Sequence, residues 1–192
     1  APVHISEVPM DVQNAFLAIE DRKFRTHHGF DFMRLGKAVL SNVTGSAKEG
    51  GSSITQQLAK NAFLSPERSF DRKLKEALLA IEIERRYTKD EILENYLNTI
   101  YFGNGSYGIK NAARKYFDKE PKDLTIAEAA ILASIPKSPT KYSPTKNMKN
   151  AIERQQVVLA QMYKYKFITE AQYEEALNQK IVLSKNSDLN AD

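Results

Sequence analysis

The chain has 192 residues, 42% of them hydrophobic and 27% charged, and a formal net charge of +4. That length supports one domain with a sizeable core, divided at most into two lobes, and the mild positive charge suits an anionic partner without choosing among phosphate, nucleic acid and an acidic membrane. The absence of cysteine excludes disulfides, thiolate metal sites and a cysteine nucleophile.

In chain order, residues 1–10 are expected to be extended, because Pro2 and Pro9 discourage helix. The opening Ala1-Pro2-Val3, without methionine or signal peptide, reads as a piece excised from something longer, with room for an anchor helix upstream. Val12, Ala15, Phe16 and Ile19 recur at helical spacing, so a short amphipathic helix ends near Glu20. Acids, bases and two histidines then crowd the stretch from Glu20 to Asp31. Phe32, Leu35, Val39 and Leu40 predict a second helix, and the small, polar, glycine-rich residues 41–51 a mobile loop.

Ser52 or Ser53 is the expected N-cap of a helix whose inner face is Ile54 and Leu58 and whose polar face, Thr55, Gln56, Lys60 and Asn61, suits a lined groove. A turn at 65–67 leads to the longest helix, 69–87, with Phe70, Leu74, Ala77, Leu78, Ile81 and Arg85 on the 3.6-residue period. Capping boxes at Thr88/Glu91, Thr125/Glu128 and Thr169/Gln172 start three further helices. Between the first two, the glycine-studded loop 101–108 precedes a helix over 109–117. Pro136, Pro139 and Pro144 enforce an irregular segment before a helix over 150–166. With no repeat and no strand ladder, the chain reads as all-α, with one domain over 1–183 and a polar tail over 184–192.

Chemistry concentrates in three places: Glu20 to Asp31, Gly51 to Asn61, and Arg68 to Glu76. In the last, Arg68, Arg72, Lys73 and Lys75 surround Glu76, and Arg72 and Lys73 share a helix face with it. On a solvated face such pairs contribute only about 0.3–0.5 kcal/mol. The sharper reading makes Lys60, Arg68 and Lys73 a cradle for a diphosphate, with Glu76 as counterweight, because converging cations need an anionic partner. Glu20 is then the general base for a sugar hydroxyl. A hydrolase acting on a neutral glycosidic bond does not need these cations. Adjacent His27 and His28 lack a third ligand at a convincing spacing, which favours hydrogen bonding over metal ligation. No basic stripe with interleaved aromatics supports nucleic-acid binding.

Five motifs in order resemble the peptidoglycan glycosyltransferase domain (glycosyltransferase family 51) of class A penicillin-binding proteins and monofunctional transglycosylases. They are Glu20-Asp21-x-x-Phe24-x-x-His27-x-Gly29-x-Asp31; Gly51-x-Ser53-Ile54-Thr55-Gln56-Gln57-Leu58-x-Lys60-Asn61; Arg72-Lys73-x-x-Glu76 with Glu91-Ile92-Leu93-Glu94-x-Tyr96-Leu97-Asn98; Tyr101-Phe102-Gly103 with Tyr107-Gly108-Ile109; and Leu124-Thr125-x-x-Glu128 with Pro139 and Tyr142-Ser143-Pro144. Ser53 stands where Thr is common, and Asp118 and Ser134 where Gly is frequent.

The resemblance implies a lysozyme-like all-α fold, a head lobe plus a smaller membrane-facing jaw lobe around a cleft. It implies polymerisation of lipid II into β-1,4-linked glycan strands with release of undecaprenyl diphosphate, on the extracytoplasmic face of the bacterial cell membrane. Carried over by position, Glu20 is the base for the acceptor 4-hydroxyl. Lys60, Arg68, Lys73 and Glu76 form the diphosphate site with Arg72 beside them, and Ser52, Gln56, Gln57 and Asn98 line the cleft. Asp21 supports that geometry. The implied partners are lipid II, the lipid-linked glycan strand and the inhibitor moenomycin, with no nucleic acid. No obligatory cofactor is implied, although a divalent cation (Mg or Mn) near the diphosphate fits the family, with ligands the sequence does not name. The alternative is a lysozyme-like hydrolase or lytic transglycosylase.

Overall fold

A computed structural model of the chain describes residues 2–27, 52–63, 69–185 and 187. The expected helix over 32–40, the loop over 41–51, the turn at 65–67 and Arg68 lie outside them. Among the described residues the architecture is all-α, and the one pairing of extended backbone is an isolated antiparallel bridge between Tyr101 and Tyr107. Among the described residues no helix is long and apolar enough to cross a membrane. The chain divides into two compact units, 1–19 with 94–192, and 20–93.

The first unit opens with a 3-10 turn, Ile5–Glu7, where extended chain was expected. Pro2 and Pro9 restrict only themselves and the residue before each, so the backbone between them is free to turn. Helix α1, Met10–Glu20, follows, with Val12, Ala15, Phe16 and Leu17 almost wholly buried. The centre of this unit is an alanine-rich helix, Ile126–Ser134, in which every residue from Ala127 onward is buried. Its capping box is formed in both directions, Glu128 N donating to Thr125 Oγ1 at 3.1 Å and Thr125 N to Glu128 Oε1 at 3.0 Å. It packs most extensively on the helix Met148–Lys164, where Gln155 Nε2 donates to the Ala127 carbonyl at 3.0 Å. Short alanine side chains allow that close approach, and the buried amide finds its partner on the facing backbone.

The helix Ile109–Phe117 ends on Asp118 at φ +53°, a left-handed cap that aspartate tolerates in place of the frequent glycine. The preceding Gly108 has φ +83°, and a Cβ there would sit 2.6 Å from the Asn98 carbonyl oxygen, so no other residue fits. The proline-rich segment is less irregular than expected: Pro139 occupies the first turn of a short helix, Pro139–Tyr142, where its missing N–H is no loss. The helix Glu170–Asn178 closes the series. Ser184, placed by sequence in the polar tail, is tied to the body, with its N–H on the Tyr116 carbonyl at 2.7 Å and its hydroxyl on that of Lys115 at 3.0 Å.

In the second unit, α2 (Ile54–Asn61) packs on α3 (Phe70–Arg86), and α4 (Lys89–Thr99) begins there, with Thr88 and Glu91 forming the expected capping box. Ser53 is the N-cap of α2, accepting from Gln56 N at 3.1 Å. The residues that share the expected period of α3 do not share one environment. Glu76, Ala77 and Ala80 are buried, whereas Phe70, Leu74 and Leu78 are 55%, 49% and 59% exposed. The period revealed an apolar stripe, but the small alanines face inward and the large side chains form a second, uncovered stripe.

Candidate active site

Glu20, the last residue of α1, is half-buried. Its carboxylate Oε2 accepts a long hydrogen bond from Gln57 Nε2, at 3.4 Å, and the same amide donates to the Ser52 carbonyl at 3.3 Å. The Ser52 hydroxyl in turn accepts from the Lys73 ammonium, which lies 3.7 Å from a Glu76 carboxylate oxygen. A continuous polar chain therefore joins the two candidate catalytic carboxylates, Glu20–Gln57–Ser52–Lys73–Glu76, with Ser52 contributing both its backbone and its side chain.

Burial holds the Lys73 ammonium below the ordinary lysine range; Glu76 opposes that shift and Lys60 reinforces it. The second cation is thus close enough to be felt at Lys73, although Lys60 itself is exposed. Glu76 is only 5% exposed, so the pair sits where charge interactions are poorly screened.

Three other predicted residues make contacts outside this polar chain. Arg72 shares the helix with Lys73 but lays its guanidinium 4.3 Å from the Phe63 ring centroid, a cation–π contact. Gln56 is buried, its Oε1 accepting from Ser53 N at 2.8 Å, while its Nε2 has no partner among the described residues. Asn98, in the first unit, clips the chain start: its Oδ1 accepts from Val3 N and its Nδ2 donates to Val3 O, both at 2.9 Å. Arg68 lies outside the described residues.

Asp21 is almost wholly buried, and its Oδ2 accepts from the first amide of α2, Ile54 N, at 3.0 Å. That places a carboxylate on the positive end of the helix, a favourable arrangement worth about 0.3–1 kcal/mol or more when partly buried. The same oxygen is 2.7 Å from His27 Nε2, so His27 does make hydrogen bonds. His27 is also approached by Lys89, and Lys89 by Glu84, two residues the sequence did not single out. They lie far from Asp21 in sequence and belong to no local pattern.

The divalent cation suggested by resemblance meets a poor donor set. Glu76 faces an ammonium, and no group of three or more His, Cys, Asp or Glu residues among the described ones could hold a metal.

The family model described as transglycosylase matches residues 1–163. The chain belongs to the transglycosylase family. Among its relatives, penicillin-binding protein 1F of Bacillus subtilis is 51% identical over 84% of this chain and 23% of its own length. Penicillin-binding protein 1A of Aquifex aeolicus is 47% identical over 96% of this chain and 26% of its own. The chain thus spans about a quarter of the length of these relatives. The crystal structure of penicillin-binding protein 1A from Haemophilus influenzae superposes with a TM-score of 0.60 at 30% identity, covering 97% of this chain and 18% of that one. That likeness agrees with the all-α, lysozyme-like fold expected from the motifs.

Proposed function

We propose that this chain is a peptidoglycan glycosyltransferase that polymerises lipid II into β-1,4-linked glycan strands. Family membership supports the reaction class, and the observation that carries the chemistry is the polar chain from Glu20 through Ser52 to Lys73 and Glu76. Glu20 takes the proton from the acceptor 4-hydroxyl, whose oxygen attacks C1 of the donor sugar from the face opposite the diphosphate. The C1–O bond breaks with inversion, and undecaprenyl diphosphate leaves with the bonding electrons. Lys60 and Lys73, with Arg68 and Arg72, bind that developing charge, and Lys73 is well suited because it is already partly desolvated. Glu76 keeps Lys73 in place and favours its charged form.

The uncovered stripe of Phe70, Leu74 and Leu78 supports contact with the outer face of the bacterial cytoplasmic membrane, where a polyprenyl-linked substrate resides. Moenomycin, as a mimic of the donor, is the expected inhibitor. The lytic alternative leaves the desolvated lysine without a role. Incubation of purified protein with labelled lipid II in detergent tests the proposal: long glycan strands are expected, and Glu20→Gln should lower the rate about a hundred- to ten-thousand-fold. Absence of polymer with cleavage of preformed glycan strands overturns it in favour of a lytic enzyme.

A further inference from the structure

Next to Glu20 in the chain, Asp21 enters a closed ring of hydrogen bonds. Asp21 Oδ2 accepts from Ile54 N at 3.0 Å and lies 2.7 Å from His27 Nε2. His27 Nδ1 is 3.2 Å from Lys89 Nζ, and Lys89 Nζ is 2.7 Å from Glu84 Oε1. Glu84 Oε1 also accepts from the Thr55 hydroxyl at 2.9 Å, and Thr55 follows Ile54 in α2. The circuit therefore runs from the turn after α1 to the start of α4, to the end of α3, to the start of α2, and back. Its members are sheltered: Asp21 and Thr55 are at most 1% exposed, and the Glu84 and Lys89 side chains 9% and 24%.

The chemistry of Lys89 determines the rest. An ammonium has three donors and no acceptor, and here it meets three electron-rich partners: the Glu84 carboxylate, His27 Nδ1, and the Phe24 ring at 4.5 Å from its centroid. Because Lys89 only donates, His27 Nδ1 must accept. The ring proton then sits on Nε2 and is donated to Asp21. Lys89 thus selects the tautomer that lets His27 hold Asp21, and Asp21 both follows Glu20 directly in the chain and anchors the first amide of α2. Gln57, one turn further along α2, is the residue that reaches Glu20.

We propose that Lys89 and Glu84 are positioning residues for the Glu20 carboxylate, acting through His27 and Asp21. This rests on Glu20 being the base in the proposed glycosyl transfer. Lys89→Met keeps the length of the side chain but removes its donors, so kcat for lipid II polymerisation should fall about ten- to a hundred-fold, the scale of a reacting group displaced by a fraction of an ångström. KM for lipid II should change less than about three-fold, because the cations of the diphosphate site are untouched. Lys89→Arg, which still donates to both Glu84 and His27, should recover most of the loss. Glu84→Gln, which keeps an acceptor for Thr55 and Lys89, is the milder second variant and should show an intermediate fall in kcat. Independently of turnover, imidazole nitrogen shifts at pH 7.5 should report His27 as the Nε2–H tautomer in the wild-type protein and as a mixture in Lys89→Met. Normal kcat per folded molecule in Lys89→Met, with the His27 tautomer unmoved, overturns the proposal. A wild-type protein that makes no polymer overturns the functional reading instead, and the nitrogen shifts then still decide the tautomer.

Discussion

Glu128 and Glu76 are equally buried, at 6% and 5% exposure, and each has a lysine beside it, yet the two sites are built differently. Glu128 Oε1 accepts from Thr125 N at 3.0 Å and from Lys119 Nζ at 2.8 Å, so its charge is met by a backbone donor and a close ammonium. Glu76 has its lysine at 3.7 Å, beyond good hydrogen-bond distance, and that lysine spends a donor on Ser52. The first carboxylate completes a helix start. The second, in the proposed reaction, is a counterweight beside one cation that is already partly desolvated and another that lies close by. A buried acid–base pair is therefore weak evidence of function until its partners are counted.

Substitution at the two sites should separate these roles. Lys73→Met removes a charge that the proposed reaction uses on the leaving diphosphate, and the polymerisation rate should fall about a hundred- to thousand-fold, the scale of losing one preorganised electrostatic donor. Lys119→Met, at the other pair, should leave the rate per folded molecule unchanged. Equal losses at both positions would break the comparison.

Glu128→Ala acts on stability. It leaves Thr125 N and Lys119 without their acceptor and should cost about 1–3 kcal/mol. In a chain of this size, thermal unfolding should shift down by about 2–4 °C for each kcal/mol. Calorimetry of the variant beside a rate measurement corrected for folded fraction checks it, and a fall in corrected rate would place Glu128 in the chemistry.

Titration of Lys73 sharpens the same contrast. Its folded pKa is depressed by burial, so the unfolded chain binds more protons between that value and the ordinary lysine pKa, and stability should rise with pH across that window. A bound diphosphate adds negative charge and favours the protonated amine. Binding at alkaline pH should then take up a fraction of a proton, and affinity should weaken as pH rises through the folded pKa. Calorimetry of inorganic diphosphate binding in buffers of different ionisation heat measures the uptake, and Lys73→Met should abolish it.

How far the sequence led depended on the range over which each signal acts. The capping boxes at Thr88, Thr125 and Thr169 were legible because cap and partner lie three residues apart. The three polar segments were likewise visible as composition, and Ser52, Gln57 and Lys73 do meet in the structure. Periodicity exposed the apolar stripe of Phe70, Leu74 and Leu78 but not that it is left uncovered, since that depends on which face of α3 packs on α2. Nor could local pattern show that Asn98 binds Val3, or that Lys89 reaches His27, because those pairs are 95 and 62 residues apart.

The smallest expected effect tests whether the basic patch is one site or merely one stretch of sequence. Lys75 belongs to the same run as Lys73, but on α3 it turns outward, 3.7 Å from Asp71, with both side chains largely exposed. Water and salt screen that pair, so Lys75→Ala should change stability by less than about 0.5 kcal/mol. It should leave polymerisation nearly unchanged at physiological ionic strength, where exposed charges act over only about 8 Å. Two lysines separated by one intervening residue then differ in effect by orders of magnitude because the helix turns one toward Ser52 and Glu76 and the other toward water. If Lys75→Ala instead matches Lys73→Met, the diphosphate is held by diffuse positive charge along α3, and the short polar chain through Ser52 is not what defines the site.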